Sequence, residues 1–432
     1  MTRKVVIVGG GWAGSAAALA ASMAGCEVEL FERMDALLGT GLVGGIMRNN
    51  GRFTATEEAI ALGGGDLFAI TDRVSRHKNI DFPGHKHANL YDVCLVEPAV
   101  RQALLAAGVK VNLKARVRDI EAADGAITKV IADVFHGETI IADGDVFVDV
   151  SGTAGPQGNC MKYGNGCAMC IYRCPTFGPR FSIAAKAGVK ELVGEKADGT
   201  LGAMSGSCKL HKDSLSPEIQ EELNRTGVCV VAVPASLQKS MESLGQKACQ
   251  QYALKEFAEN VVLLDTGHAK LMTAYYPLEL LQQIPGFANA RFEDPYAGGI
   301  GNSMRYFGML PRDNALQVEG LKNVFCGGEK AGLLVGHTEA IVTGTLAGHN
   351  AARAAFGLEP ITLPRTLAIG DAIAHVQEKM QTKEGLTKKY TFSGSVYFES
   401  MKQQDLYTTD ISAIKRRVEN TGLSGVFARK LS

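Results

Sequence analysis

Residues 4–33 read KVVIVGGGWAGSAAALAASMAGCEVELFER, and this stretch decides the fold. Lys4 to Val8 is a continuous apolar, β-branched run of the kind that forms a buried parallel strand. Gly9-Gly10-Gly11-Trp12-Ala13-Gly14 then fits G-x-G-x-x-G without offset. Ser15 to Ala24 follows as an Ala-rich helix, Gly25 ends it, and Glu27 to Phe31 is a second strand closing on Glu32. Gly9 permits the tight turn out of the strand, Gly11 lets the backbone approach a pyrophosphate, and Gly14 lets the helix pack close to the sheet. The N–H groups that open the helix at Trp12 and Ala13, with the helix dipole behind them, favour the negative phosphates. Glu32, with Arg33 beside it, is placed to accept hydrogen bonds from a ribose hydroxyl pair. The complete strand–glycine–helix–strand–acid unit implies an adenine dinucleotide. One fingerprint at the start, the Glu32-Arg33 pair and a second glycine cluster near the C-terminus favour FAD over NAD.

Composition agrees with an α/β chain that buries a sizeable core: of 432 residues, 46% are hydrophobic and 21% charged. Lys+Arg and Asp+Glu balance at 45 each, which removes the global charge argument for a nucleic-acid partner without excluding a local basic face. The first apolar run is the cofactor strand rather than a signal sequence, and no run of about 18 apolar residues predicts a membrane span. Ten cysteines without an export signal point to a reducing, cytoplasmic setting.

After Arg33 the sequence MDALLGTGLVGGIMRNNGRF carries Gly39, Gly41, Gly44 and Gly45, a close-approach loop expected to run under the cofactor toward its reactive ring, or else an ordinary glycine-rich crossover. Residues 54–78 read as helical with a break at Gly63-Gly64-Gly65, and Asp81 to Leu90 reads as a loop. Val96 to Ala107 is a helix. Val109 to Ile120, which includes Val117 as a cofactor-site candidate, and Ile127 to Phe135 alternate as strands around the turn Ala123-Asp124-Gly125. The run DVFVDVSG ends at Ser151-Gly152, where a strand rejoining the sheet would present Gly152 to the cofactor. Ser216 to Arg225 is a helix, Val228 to Val233 a strand and Ser236 to Asn260 a long helix. Leu321 to Phe325 is another apolar strand, running into Cys326-Gly327-Gly328-Glu329 and a helix from about Thr338 to Ala355. This partition predicts a Rossmann-like FAD-binding domain in two parts (1–155 and 316–385), interrupted by an inserted substrate-side, cysteine-rich domain (156–315) and followed by an appendage (386–432).

GGGWAGSAAALAA resembles the start of flavoproteins of the glucose-inhibited division protein A type and of the folate- and FAD-dependent tRNA uracil methyltransferases. The resemblance is clearest over about residues 284–376, where IPGFANARF, MRYFGMLPRDNAL, GLKNVFCGGEKAGLLVGHTEAIVTGTLAGHNAAR and LPRTLAIGDAIAHV occur in the family's order. It implies that Gly328-Glu329 lies near the FAD phosphates and ribityl chain. It also implies that the helix start Gly336-His337-Thr338-Glu339-Ala340 faces the isoalloxazine. The methyltransferases carry a cysteine after the second strand where this chain has GTGLVGGIMRNNG. The division proteins are longer, with a C-terminal helical domain not evident here.

Cys167-x2-Cys170-x3-Cys174-Pro175, with Cys160 upstream and Cys208 downstream, suits a thiophilic centre. Three readings stand side by side: a [4Fe–4S] cluster that would need Cys160 or Cys208 as a further ligand, a redox-active thiol pair near the flavin, and zinc or inert thiols. His337 either hydrogen-bonds the flavin or caps its turn. Arg305 and Arg312-Asp313-Asn314 flank the flavin side or form a surface turn, and Cys326 reads as a core thiol. The expected activity is that of an FAD-dependent oxidoreductase exchanging electrons with a small-molecule substrate, an electron-transfer partner, a thiol pair or a cluster. A flavin-dependent tRNA-modifying enzyme is the alternative implied by the resemblance, and a non-catalytic flavin electron-transfer scaffold is a third. Oligomeric state is left open.

Overall fold

The computed structural model describes residues 3–135, 137–153, 178, 180–196, 199–201, 203–204, 208–245, 253–272, 276–293, 304–305 and 307–431. Its centre is a five-stranded parallel sheet in the order 324–326, 146–149, 4–8, 27–31, 110–112. Val6 pairs with Phe147 on one side and Glu29 on the other, and Phe147 pairs onward with Val324. Strands from residues more than 300 apart thus complete one sheet. Val5, Val6, Ile7, Phe147, Val148, Val324 and Phe325 are all fully buried, as a sheet covered on both faces requires.

Helix Trp12–Met23 and the long helix His337–Ala355 lie against each other on this sheet. Their backbones come very close. A Cβ added at Gly344 would lie 2.2 Å from Ala13 O, and one at Gly348 would lie 2.2 Å from Ala17 O. The Ala-rich composition of the first helix is therefore a packing requirement as well as a helix-forming one.

Around this centre sit, among the described residues, three antiparallel sheets of three or more strands: 115–123/126–134/139–143, 46–47/85–91/75–82, and a four-stranded one in the order 208–210, 269–271, 260–265, 228–232. The last has its own core of Leu210, Leu223, Val261, Leu263 and Phe287, closed by helix Pro217–Thr226. Residues 395–431 return to the first half of the chain. Gly425 and Phe427 donate backbone hydrogen bonds to Ala61 and Leu62, and Leu431 donates to Ala24. Among the described residues no helix is long and apolar enough to cross a membrane.

Three sequence expectations need correction. The helix expected through residue 78 ends at Arg73, and Ser75–Phe82 is a strand. Residues 81–90, read as a loop, form a hairpin with it through the turn Pro83-Gly84, because His85–Tyr91 pairs back on Ser75–Phe82. The polar residues Arg76 and His77 hid this strand; both are bound to the buried Asp265, at 3.0 Å each. The long helix expected over 236–260 is replaced by short helices Met241–Gly245 and Lys255–Glu259, and Asn260 begins strand Asn260–Asp265. Leu244, Phe257 and Ala258 are drawn instead into a core with Ile46, Phe82 and Leu90, so tertiary burial overrides helical periodicity.

Two buried titratable groups oppose each other in their effect on stability. Glu58 accepts from Ala368 N at 2.9 Å and Ile369 N at 3.0 Å, capping helix Ala368–Met380; burial raises its pKa to about 7, against those amides and Arg417. Burial, aided by Arg353 and Arg429, lowers His349 to about 4. Glu58 has its folded pKa above its ordinary value of 4.5, so its contribution falls as pH rises from 4.5 to 7. His349 has its folded pKa below its ordinary value of 6.5, so its contribution falls as pH drops from 6.5 to 4. The slopes, each about 1.4 kcal/mol per pH unit, cancel where the windows overlap. Denaturant titrations between pH 4.5 and 6.5 are therefore expected to show stability rising with pH in Glu58→Gln and falling with pH in His349→Leu. Parallel profiles in both variants would contradict this.

Candidate functional site

The glycine turn behaves as its spacing implies. Gly9 has φ +110°, and a Cβ there would lie 2.4 Å from Val150 O. Gly14 sits directly over the turn, where a Cβ would lie 1.8 Å from Gly9 O. Gly11 is different: its φ is −65°, open to any residue, and a Cβ there meets no described atom within 4 Å. The space beside Gly11, at the N-terminus of helix Trp12–Met23, is therefore a cradle bare of side chains among the described residues, with the opening amides of Trp12 and Ala13 above it.

Glu32 is buried beside this turn. Its Oε2 accepts from Gly10 N at 2.7 Å and its Oε1 from Met34 N at 2.9 Å. Two amides fix the carboxylate and leave further lone pairs for hydroxyl donors. Arg33 donates through Nη1 to Gly178 O. Val117 is buried in strand Ala115–Ala123, paired with Ala132, and Ala115 N donates to Glu32 O at 3.0 Å. Its side chain belongs to the core.

The later glycine cluster closes on the same turn. Gly328 accepts no Cβ without meeting Ala13 Cβ at 2.9 Å, and its N–H donates to Thr343 Oγ1 at 2.9 Å. Glu329 Oε2 accepts from Thr153 Oγ1 at 2.6 Å, which ties residues 324–331 to the 146–153 strand end. Gly152 lies between, against the Arg180 side chain.

The loop after the second strand runs past Gly11: Leu38 N donates to Gly10 O at 2.8 Å, and Leu38 bridges Gly11. Gly39 follows, with open space at its Cβ position among the described atoms. Gly41–Gly44 is a single helical turn that abuts the Trp12 indole at Gly41 and the His337 imidazole at Gly44. Trp12 and His337 rings are 6.3 Å apart. Gly336 and Thr338 bracket His337; Thr338 is fully buried and its hydroxyl is directed at Met47 Sδ, 3.7 Å away, rather than into the open face.

Several residues that hold this loop escaped the sequence reading. Tyr91 bonds both of its ends, with its hydroxyl donating to Gly41 O at 2.7 Å and its backbone N–H to Gly45 O at 3.0 Å. Lys209 Nζ reaches Leu42 O at 3.4 Å, and the buried Lys270 reaches Val43 O at 2.9 Å. No local signal marks these residues, because each lies far from the loop in sequence: Tyr91 on the strand that pairs with 46–47, and Lys209 and Lys270 on the four-stranded sheet. Arg312 is not part of a surface turn: it is buried, donates to Ala331 O and Ile373 O at 2.9 Å each, and burial lowers its pKa to about 10. Cys326 is a core thiol, fully buried, with burial raising its pKa to about 12.

Cys160, Cys167, Cys170 and Cys174 lie outside the described residues, as does the side chain of Cys208, whose backbone pairs with Leu271. Among the described residues no group of three or more His, Cys, Asp or Glu is arranged to hold a metal.

A glycine turn, a fixed acid and a second glycine cluster thus converge from residues 9–14, 32 and 327–329. The model of the family described as glucose inhibited division protein A matches residues 4–273 and 228–359. The chain belongs to the glucose inhibited division protein A family. Aquifex aeolicus GidA is similar in fold, with a TM-score of 0.67 at 17% identity over 98% of this chain and 74% of that one. Two curated relatives are methylenetetrahydrofolate–tRNA-(uracil-5-)-methyltransferases TrmFO. That of Lysinibacillus sphaericus is 33% identical over 103 residues, and that of Symbiobacterium thermophilum is 36% identical over 98. Those segments span 22% and 21% of the two relatives. The family's FAD-binding fold is the fold seen here, and the bare cradle at Gly11 with the amide-fixed Glu32 fits that cofactor.

Proposed function

We propose that this member of the glucose inhibited division protein A family is a flavin-dependent enzyme that modifies uracil in tRNA. The observation that carries the reading is the family match, which runs from residue 4 to residue 359 and takes in both glycine clusters and the sheet between them. The names of the two curated relatives add the substrate and the one-carbon donor. Gly9, Gly11, Trp12, Ala13 and Gly14 would hold the FAD pyrophosphate, Glu32 a ribose, and Gly328-Glu329 the far side of the cofactor. Bound FAD supplies electron and hydride transfer at this site. The chain's own part is to hold the phosphates on fixed amides and to close the 41–45 loop beside His337.

A second reading, an FAD-dependent oxidoreductase for a small molecule, draws on a specific feature. Residues 34–93 contain no cysteine, whereas the tRNA methyltransferases carry one after the second strand. Incubating the purified flavoprotein with an unmodified tRNA transcript, methylenetetrahydrofolate and a reduced nicotinamide separates the two. Uracil modified at C5 in the digested nucleosides, with tRNA binding that weakens as salt rises, is the expected result. Flavin turnover with no change in any uridine would overturn it in favour of the second reading. Iron and sulfide analysis of the same preparation decides between a cluster and thiols at Cys160, Cys167, Cys170 and Cys174.

A further inference from the structure

Next to the glycine turn, Tyr91 does more than brace a loop. It is fully buried at the end of strand His85–Tyr91, edge-on to Trp12 with ring centroids 5.9 Å apart. Its oxygen lies 2.7 Å from Gly41 O and 3.2 Å from His337 Nδ1. Proton bookkeeping at this oxygen has one solution. A carbonyl can only accept, so the single phenolic proton points at Gly41 O. The phenol must then accept from His337, and the proton of that contact belongs to Nδ1. Burial raises the Tyr91 pKa above its ordinary value, so the phenol keeps its proton at neutral pH.

We propose that Tyr91 is a positioning residue that sets the tautomer of His337, holding the neutral imidazole with its proton on Nδ1 and its lone pair on Nε2. An imidazole in water prefers the other tautomer, so the assignment is imposed by the site, as a hydrogen bond at one ring nitrogen decides the state of the other. The ring has little freedom to escape it: its Cε1 edge covers Gly44, and its backbone opens helix His337–Ala355. The helix dipole there disfavours a positive charge on the ring. For the chemistry the consequence is definite. An Nε2 lone pair accepts a proton, and it donates to an anion only after it has done so. With the proton fixed on Nδ1, His337 can act as a donor through Nε2 only after taking up a second proton there, and what this does for the reaction rests on the flavin-site reading, although the tautomer does not.

Nitrogen NMR of the purified holoprotein labelled with [15N]histidine tests this, with the His337→Gln variant identifying the resonances. In the wild type at neutral pH, His337 Nδ1 is expected at the protonated, pyrrole-type position and Nε2 at the unprotonated, pyridine-type position. In Tyr91→Phe the two positions are expected to exchange or average, while circular dichroism stays that of the wild type. A wild-type His337 with its proton on Nε2, or two protonated nitrogens at neutral pH, would overturn the proposal without any variant. An unchanged tautomer in folded Tyr91→Phe would overturn the role of Tyr91. Each result is independent of whether tRNA is a substrate, since the spectra need no turnover.

Discussion

Gly11→Val is expected to give a folded protein without flavin, and Gly14→Val to give little folded protein at all. The two glycines belong to one fingerprint but meet different neighbours. At position 11 a side chain meets no described atom within 4 Å, so its branches would occupy the cradle over the helix N-terminus, where the pyrophosphate needs close approach. Losing that approach should weaken FAD by more than about 3 kcal/mol, upwards of ~100-fold in Kd. At position 14 a Cβ would lie 1.8 Å from Gly9 O, a backbone atom that the strand holds in place. Overpacking costs about 1–3 kcal/mol when side chains can shift, and more where only backbone can. Soluble yield, circular dichroism and the flavin absorbance of the purified variants check both. Full flavin content in Gly11→Val would mean that the cofactor lies elsewhere.

The second large effect is expected at Arg52 and Glu339. Their side chains are almost wholly buried, and Arg52 Nε lies 3.0 Å from Glu339 Oε2. Glu339 also accepts from Thr391 Oγ1 at 2.6 Å and Phe392 N at 2.9 Å, while Arg52 donates to Asn49 Oδ1 at 3.1 Å. Three distant segments (49–52, 336–339 and 391–392) are knotted beneath the helix start that carries His337. Removing one partner leaves a buried, uncompensated charge, so Glu339→Ala and Arg52→Ala should each cost about 3–5 kcal/mol. The double variant Arg52→Ala/Glu339→Ala should cost less than the sum, by about 1–3 kcal/mol. Urea unfolding of the two Ala variants and of this double variant measures the coupling. Strict additivity would mean that the pair is not a unit. Flavin content should fall in the singles as well, since Gly336 has no room between these two side chains for any movement of the turn: a Cβ there would lie 2.0 Å from Glu339 Oε2.

Much of the nucleotide half was legible in the sequence because its constraints are local. A tight turn at Gly9, a side-chain-free approach at Gly11, close packing at Gly14 and an acid at Glu32 all act within one βαβ unit, so spacing alone carries them. The parallel sheet followed from the same logic: runs such as KVVIV and DVFVDV are continuous because both faces are buried. The resemblance to the family likewise rested on short, contiguous motifs, and the family match agrees with it.

Other features were decided only in three dimensions. Strand Ser75–Phe82 is written in charged residues because Arg76 and His77 answer the buried Asp265, which lies on another sheet. Burial would raise the Asp265 carboxyl, but hydrogen bonds from Lys212, His77 and Arg76 hold it below the usual range. The expected helix over 236–260 gave way because Asn260–Asp265 finds a strand partner at 228–232 and Phe257 finds a pocket in a neighbouring core. Periodicity records which residues are apolar; it does not record which surface will bury them. The site itself divides in the same way. Its glycine turn and fixed acid were set by the order of residues along one chain segment. The environment of His337 was set by Tyr91, 246 residues away, because a tautomer depends on which hydrogen-bond partner the fold brings to the ring.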